Sequence, residues 1–106
     1  MWAQIIKTQL KAGHDGDFVD LMKHFRETEK PGSGLLHSFA ARDQNDPSSV
    51  YMLVIFESEE KARTRENDEE RHASLEPARQ MMSEIFEGGV EFTNLDIVAD
   101  FTPAGR

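Results

Sequence analysis

The stretch Val50-Tyr51-Met52-Leu53-Val54-Ile55-Phe56-Glu57 decides the fold of this chain. It is the longest apolar run in the sequence, it is rich in β-branched and aromatic residues, and it follows the turn-forming residues 45–49. This combination predicts a β-strand. Its two alternating sets of side chains are both apolar until Glu57, whereas a strand with one solvated face alternates apolar and polar residues. We therefore expect the central strand of a sheet that is covered on both faces.

The sequence before this strand predicts one further strand and a helix. Residues 3–10 fit a first strand in which the even-numbered residues share one face. Four apolar side chains then recur at helical spacing, namely Phe18, Leu21, Met22 and Phe25. We expect Asp15 or Asp17 to cap this amphipathic helix. The helix should end near Lys30, because residues 31–34 (PGSG) cannot continue it.

A predicted hairpin leads into the central strand. Residues 35–42 are expected to form the second strand. One face of that strand carries Leu35, His37, Phe39 and Ala41. The loop over residues 43–49 is too long for a two-residue turn, yet it returns the chain in the antiparallel direction. After the central strand, Ser58 is expected to cap a short and very polar helix.

The C-terminal part is predicted to contain a broken helical segment and a last strand. Asn67 is expected to cap a second helix, and Pro77 is expected to kink or restart it. An apolar stripe follows, consisting of Ala78, Met81, Met82, Ile85 and Phe86. Residues 88–89 (GG) should close this helix. Residues 90–101 should form the last strand, and residues 102–106 should be a flexible tail.

The resulting element order is β-α-β-β-α-β, with the second helical region broken. This order is typical of an α+β, ferredoxin-like domain, in which helices cover one face of a four-stranded antiparallel sheet. The helices account for one apolar face of the central strand, and the other face remains uncovered. Because exposed apolar surface of that size usually marks an interface or a ligand groove, we expect two sheets to pack face to face in a homodimer.

The charge balance argues against two classes of partner. Twelve basic and twenty acidic residues among 106 give a formal net charge of −8. Nucleic acids and anionic membranes both bind basic surfaces, so neither is an expected partner. The sequence contains no cysteine, which rules out disulfides and thiolate sites. We expect a single domain with no signal peptide, no membrane span and a cytoplasmic location.

Three stretches give the chain a family resemblance: WAQII at residues 2–6, PGSGLL at residues 31–36 and YMLVIFESEEKA at residues 51–62. With them the chain resembles, over residues 1–101, the antibiotic biosynthesis monooxygenase (ABM) domain family of the dimeric α+β barrel superfamily. The resemblance implies a homodimer with a cavity between sheet and helices in each protomer. For members that are enzymes, it implies cofactor-free oxygenation of quinol- or anthrone-like aromatics, or haem degradation. Many relatives have no known activity, and a shared fold alone does not assign one.

The haem-degrading branch of this family fits the sequence poorly. That branch uses an Asn on the first strand, with a Trp and a His on the later helices. Here the first strand carries Gln4, the single tryptophan is Trp2, and Arg65 stands nearest to the expected helical Trp. His72 is out of register with the His of that branch. We therefore expect neither haem nor another cofactor.

Cofactor-free oxygenation requires a base, a dry pocket and a donor for the developing anion. His37 and His72 are the candidate bases, because imidazole titrates near neutral pH, and Arg65 is the third candidate catalytic residue. The candidate substrate-binding residues are Trp2, Gln4, Phe39, Arg42, Tyr51, Met52, Phe56, Phe92 and Asn94. These residues serve equally well as ordinary core or interface side chains. The histidines lack paired ligand spacing, so no metal site is predicted.

Two functions remain open at this point. The first is a small cofactor-independent monooxygenase of ABM type that acts on an aromatic or quinol-like metabolite. The second is a non-catalytic dimeric module that binds a small ligand or only assembles. A histidine that points into an enclosed cavity would favour the enzyme. A cavity filled by Met52, Phe56 and Met82 would favour the module.

Overall fold

Residues 1–103, which the computed structural model describes, form four strands and four helices. The strands are β1 (Trp2–Leu10), β2 (Leu35–Arg42), β3 (Ser49–Phe56) and β4 (Phe86–Asp96). The helices are α1 (Asp15–Thr28), α2 (Glu59–Glu66), α3 (Glu69–Ser74) and α4 (Glu76–Ile85). The predicted α+β, ferredoxin-like architecture is confirmed.

The four strands form one antiparallel sheet in the order β2-β3-β1-β4. The strand predicted to be central, β3, lies inside the sheet between β2 and β1. Its register against β1 places Phe56 opposite Trp2 and Leu53 opposite Ile5. Successive side chains of a strand point to opposite faces, so this register fixes which residues of neighbouring strands share a face.

One face of the sheet, called the helix face below, packs against the helices. The main core cluster consists of Leu10, Phe18, Leu21, Val50, Leu75, Ala78 and Ile85. A second cluster joins Trp2 and Phe56 of the sheet to Ala62 of α2. Burial of a large apolar side chain contributes about 1.5–3 kcal/mol, so these two clusters fix the helices to this face.

The opposite face, called the open face, carries apolar side chains that stay partly or largely exposed. By register it holds Ile5, Phe39, Tyr51, Leu53, Ile55 and Leu95. Phe39 remains 48% exposed and Leu95 38% exposed. Within residues 1–103, one apolar side of β3 therefore lacks the cover that the other side has.

A β-bulge at Leu36 separates two residues that were expected to share a face. Leu35 is opposite Phe56 and packs in the second cluster on the helix face. His37 is opposite Ile55 on the open face. The expectation was wrong for Leu35, because the extra residue of a bulge shifts the alternation by one position.

The helix starts agree with the sequence in part. Ser58 caps α2, since its side chain accepts a hydrogen bond from the Lys61 backbone N–H. The expected cap of α1 by Asp15 or Asp17 was wrong: His14 occupies the N-cap position without a side-chain cap bond. Asp15 and Asp17 instead lie in the first turn, where their charge interacts favourably with the helix dipole.

The break between the later helices is one residue away from its predicted place. Asn67 ends α2, and Asp68 caps α3 by accepting hydrogen bonds from the backbone N–H groups of Glu70 and Arg71. Pro77 lies in the first turn of α4, so its predicted role as a restart point is confirmed. Proline fits there because the first helical N–H groups have no partner within the helix.

The last strand begins and ends earlier than predicted. It starts at Phe86 and stops at Asp96, rather than covering residues 90–101. Gly88, with φ of +73°, lies in a bulge of β4 and does not close the helix. The strand stops because its partner β1 begins at Trp2, opposite Asp96. Of the predicted flexible tail, residues 104–106 lie outside the described part of the chain.

Candidate functional site

A cavity of about 1040 Å³ lies between the helix face and the helices. Its floor comes from all four strands, and its cover comes from α1, α2, α3 and α4. Floor residues include Gln4, Ile6, Ala40, Met52, Val54 and Val90, and cover residues include Met22, Phe25, Ala62 and Met82. The space remains open although Met52, Phe56 and Met82 line it, so these side chains do not fill it.

Four of the predicted wall residues lie together at this cavity: Trp2, Met52, Phe56 and Phe92. The rings of Trp2 and Phe56 are 6.2 Å apart and tilted by 49°. Both are buried, whereas Phe92 is 62% exposed. The cavity therefore runs from a packed aromatic corner at Trp2 towards an accessible side at β4.

Two predicted polar residues form a pair across β1 and β4. The Gln4 side-chain amide donates to Asn94 Oδ1 over 3.0 Å. Gln4 lines the cavity, and Asn94 is its cross-strand partner on the same face. Such a pair offers amide donors and acceptors at a mainly apolar floor.

Two arginines of α2 stack on the aromatic corner. The Arg63 guanidinium lies 5.2 Å from the centre of the Trp2 ring, and Arg65 lies 5.2 Å from the centre of the Phe56 ring. Attraction between a cation and a ring face favours this arrangement. The predicted Arg65 is thus positioned at the cavity by Phe56, while Arg63 and Arg71 are lining residues that sequence reasoning missed. Their signal was a group of arginines in helices that are otherwise acidic.

Arg65 also forms the most protected ion pair of the chain's described part. Its Nε and Nη2 donate to both carboxylate oxygens of Glu29 over 2.6–3.1 Å. Both side chains are largely buried, at 16% and 19% exposure. Burial alone would raise the pKa of Glu29, but hydrogen bonds from Arg65 and Ser33, with the charge of Arg65, hold that pKa below its ordinary value. Glu29 is therefore a charged partner and not a free base at neutral pH.

Three predicted site residues lie on the open face: His37, Phe39 and Tyr51. His37 and Phe39 border the cavity where β2 forms the edge of the sheet. Their cross-strand partners, however, are Ile55 and Leu53, which lie on the open face. The His37 ring packs 5.7 Å from the Phe39 ring. The Lys7 ammonium lies 5.7 Å from the centre of the Tyr51 ring. The structure thus places His37 and Phe39 at the edge of the cavity and Tyr51 outside its lining.

The two remaining predicted residues lie away from the cavity lining. The His72 Nε2 atom contacts the backbone carbonyl oxygen of Glu66, at the junction of α2 and α3. Arg42 donates to the Asp15 carboxylate over 2.7 Å in an exposed ion pair. These contacts give both side chains structural partners.

A second cavity of about 450 Å³, with a lining made mainly of polar and charged residue types, lies beside the first. Its lining includes residues 28–33 and parts of α2 and α3. Glu29, Arg65 and Arg71 line both cavities. The Glu29–Arg65 pair therefore belongs to the lining of both cavities.

Among residues 1–103, no three His, Cys, Asp or Glu side chains come together as ligands for a metal ion. No helix in the same range is long and apolar enough to cross a bilayer.

The sequence matches the family model for antibiotic biosynthesis monooxygenases over residues 1–77. Because the match covers more than half of the chain, the protein belongs to the ABM family. A comparison with curated protein sequences gives no match.

Solved structures of low sequence identity share the fold. A candidate antibiotic biosynthesis monooxygenase from Deinococcus radiodurans is 11% identical, with 99% of this chain and 100% of that one covered and a TM-score of 0.71. Another from Bordetella bronchiseptica is 16% identical over 92% and 97% of the two chains, with a TM-score of 0.73.

A third similar structure contains a ligand. It is a mutant of MhuD with two manganese protoporphyrin IX molecules bound per active site. It is 15% identical, with 97% of this chain and 100% of that one covered and a TM-score of 0.71. At such identities the likeness concerns the fold.

Proposed function

We propose that the protein is a cofactor-independent monooxygenase of ABM type that oxidises an aromatic or quinol-like molecule in the helix-face cavity. The cavity carries this proposal. It measures about 1040 Å³, close to the upper end of the range of about 300–1000 Å³ for small-molecule sites. It combines an aromatic and methionine lining with guanidinium groups beside Trp2 and Phe56. Membership of the ABM family supports the same class of reaction.

The proposed chemistry depends on an ionised substrate. An anthrone-type CH₂ group loses a proton to water, and the resulting carbanion transfers electrons to O₂. One oxygen atom becomes the new carbonyl oxygen and the other leaves as water, so the substrate supplies all four electrons. Nearby positive charge favours the anionic form of the substrate. We assign this role to Arg65, with Gln4 as a hydrogen-bond donor to the substrate oxygen.

His37 and His72 are not part of this assignment. The His37 ring packs against Phe39 on the open face, and the His72 ring contacts the Glu66 carbonyl. We expect the double variant His37→Ala, His72→Ala to retain oxygen uptake. Loss of oxygen uptake in a folded double variant would show that one of the two histidines is needed, as expected of a catalytic base.

Oxygen uptake with anthrone and hydroquinones tests the function. Ala40 lines the cavity, so Ala40→Trp should block the site and abolish uptake. Ala73→Trp is the matched control, because Ala73 is exposed on α3 and does not line either cavity. Uptake that is unchanged in Ala40→Trp, or absent from the unmodified protein with every substrate, would contradict the proposal.

We also propose that two copies pair through their open faces. The support is the exposed apolar surface around Leu53, Ile55 and Phe39 on an interior and an edge strand. Packing of two such sheets would give β3 the second cover that its sequence pattern predicts.

The alternative function is a non-catalytic module that binds a small ligand in the same cavity. The positions of His37 and His72 favour it, because His37 lies at the edge of the cavity and His72 does not line it. Ligand binding without oxygen uptake would support this alternative.

A further inference from the structure

The charge of the helix-face cavity is opposite to that of the whole chain. The sequence has twelve basic and twenty acidic residues. The cavity lining contains five basic residues (Lys23, Arg26, Arg63, Arg65 and Arg71) but two acidic ones (Glu29 and Glu66). A cavity lining with the average composition of the chain would carry a net negative charge. The cavity therefore concentrates positive potential in a protein that otherwise repels anions.

Two of these five basic side chains are already paired with carboxylates. Arg65 is held by both oxygens of Glu29. Arg63 donates to Glu59 over 3.2 Å and to Glu66 over 3.1 Å. These ion pairs use the two acidic residues of the lining, so neither carboxylate is left for a third guanidinium.

Arg71 is the partly buried guanidinium of the lining that has no carboxylate partner. Within residues 1–103, no carboxylate oxygen lies within ion-pair distance of it, and its side chain makes no hydrogen bond. Burial and the neighbouring charge of Arg65 lower the pKa of Arg71, whereas the charges of Glu29 and Asp68 raise it. A half-buried guanidinium without a paired carboxylate can be stabilised by a bound anion.

From this geometry we infer that the ligand of the cavity is an apolar, ring-sized molecule that carries an anionic group, and that this group binds the Arg71 guanidinium. A planar carboxylate or a sulfonate fits the donor fork of arginine. The apolar body lies against Met52, Phe25 and Met82. The inference names the substrate class for the cavity of the proposed oxygenase, and so it rests on the use of that cavity as the binding site.

The test compares two fluorescent dyes that differ in one charged group. The anionic dye is 1-anilinonaphthalene-8-sulfonate, and its neutral counterpart is N-phenyl-1-naphthylamine. At low ionic strength the folded protein should bind the sulfonate at least about tenfold more tightly than the neutral dye, as expected for a charge-assisted hydrogen bond. Ala40→Trp should remove binding of both dyes, which places them in the cavity and not on the open face.

Variants of Arg71 test the contact itself. Arg71→Gln should bind both dyes with equal affinity, and Arg71→Lys should retain part of the preference for the sulfonate. Arg42→Gln is the matched control, because Arg42 is exposed, pairs with Asp15 and does not line the cavity. Its preference should be unchanged. Circular dichroism verifies that each variant is folded.

Two outcomes would overturn the inference: equal affinity of the unmodified protein for both dyes, or a preference that survives Arg71→Gln. Either result leaves the oxygenase proposal standing if oxygen uptake is present. Conversely, a sulfonate preference that depends on Arg71, in a protein without oxygen uptake, would support the anion site and contradict the proposed reaction.

Discussion

The two faces of the sheet use similar side chains but meet different surroundings. On the helix face, Val50 and Phe56 are 0% and 2% exposed. On the open face of the same sheet, Phe39 is 48% exposed, and Leu53 and Ile55 are partly exposed. Because all of these residues are apolar, the difference lies in what covers them. The helix face is therefore covered by helices of the same chain, whereas the open face leaves apolar surface on which a second sheet could pack.

The largest expected effect is on assembly. Leu53→Asp places a carboxylate at the centre of the open face, between Ile5 and Phe39. If that face pairs two copies, burial of an unpaired charge costs several kcal/mol, and the dissociation constant of the dimer should rise by about 1000-fold or more. Sedimentation equilibrium measures this change.

The control for assembly is the same chemical change on a helix. Val19→Asp alters α1, where Val19 is 52% exposed, and should leave the dimer intact. If the unmodified protein is a monomer, or if Leu53→Asp dimerises as tightly, the open face is not the interface.

The next largest effect is on the stability of the helix face. Leu21 is 0% exposed in the main core cluster. Leu21→Ala should lower the free energy of unfolding by about 2–5 kcal/mol, since it removes packed methylene groups and leaves a cavity. Urea denaturation measures this value. Val90→Ala, at a residue 47% exposed, should change it by less than about 0.5 kcal/mol.

A third effect concerns the ion pair that borders the cavity. Glu29→Gln leaves the Arg65 guanidinium largely buried without its carboxylate, and should lower the free energy of unfolding at pH 7 by about 1–3 kcal/mol. The pKa of Glu29 is lowered in the folded protein. Its stabilisation is therefore present above the unfolded-state pKa, about 4.3, and is lost as the pH falls through the lower folded-state pKa.

Urea denaturation of the variant and the unmodified protein across pH 2–7 tests this dependence. The stability difference should be constant at neutral pH and should shrink below the unfolded-state pKa of about 4.3. Glu84→Gln, at an exposed residue of α4, should show no such difference. A gap that persists unchanged in acid would assign the effect to packing and not to charge.

The smallest expected effect is at the start of α2, which covers the aromatic corner. Ser58→Ala removes the acceptor for the Lys61 N–H and should lower the free energy of unfolding by about 1 kcal/mol. Ser58→Asp retains a capping oxygen and should restore most of the loss. Equal stability of all three proteins in urea would show that this cap is dispensable.

Sequence reasoning predicted the element order, the interior position of β3 and the Ser58 cap, because periodicity and cap chemistry are local properties. It did not predict which face holds the cavity. Both residue sets of β3 are apolar, so the pattern of that strand is symmetric. The bulge at Leu36 and the early end of β4 were also not predicted, because both depend on pairing between strands that are distant in sequence. The histidines were predicted from residue type, whereas the position of His37 depends on the register of β2 and that of His72 on the junction of α2 and α3.

The Glu29–Arg65 pair has a consequence for the boundary of the site. The pair lines both the cavity of about 1040 Å³ and the cavity of about 450 Å³. It therefore forms part of the boundary between them. Because Arg65 holds both carboxylate oxygens of Glu29, the boundary between the two cavities is a charged contact and not a layer of apolar packing.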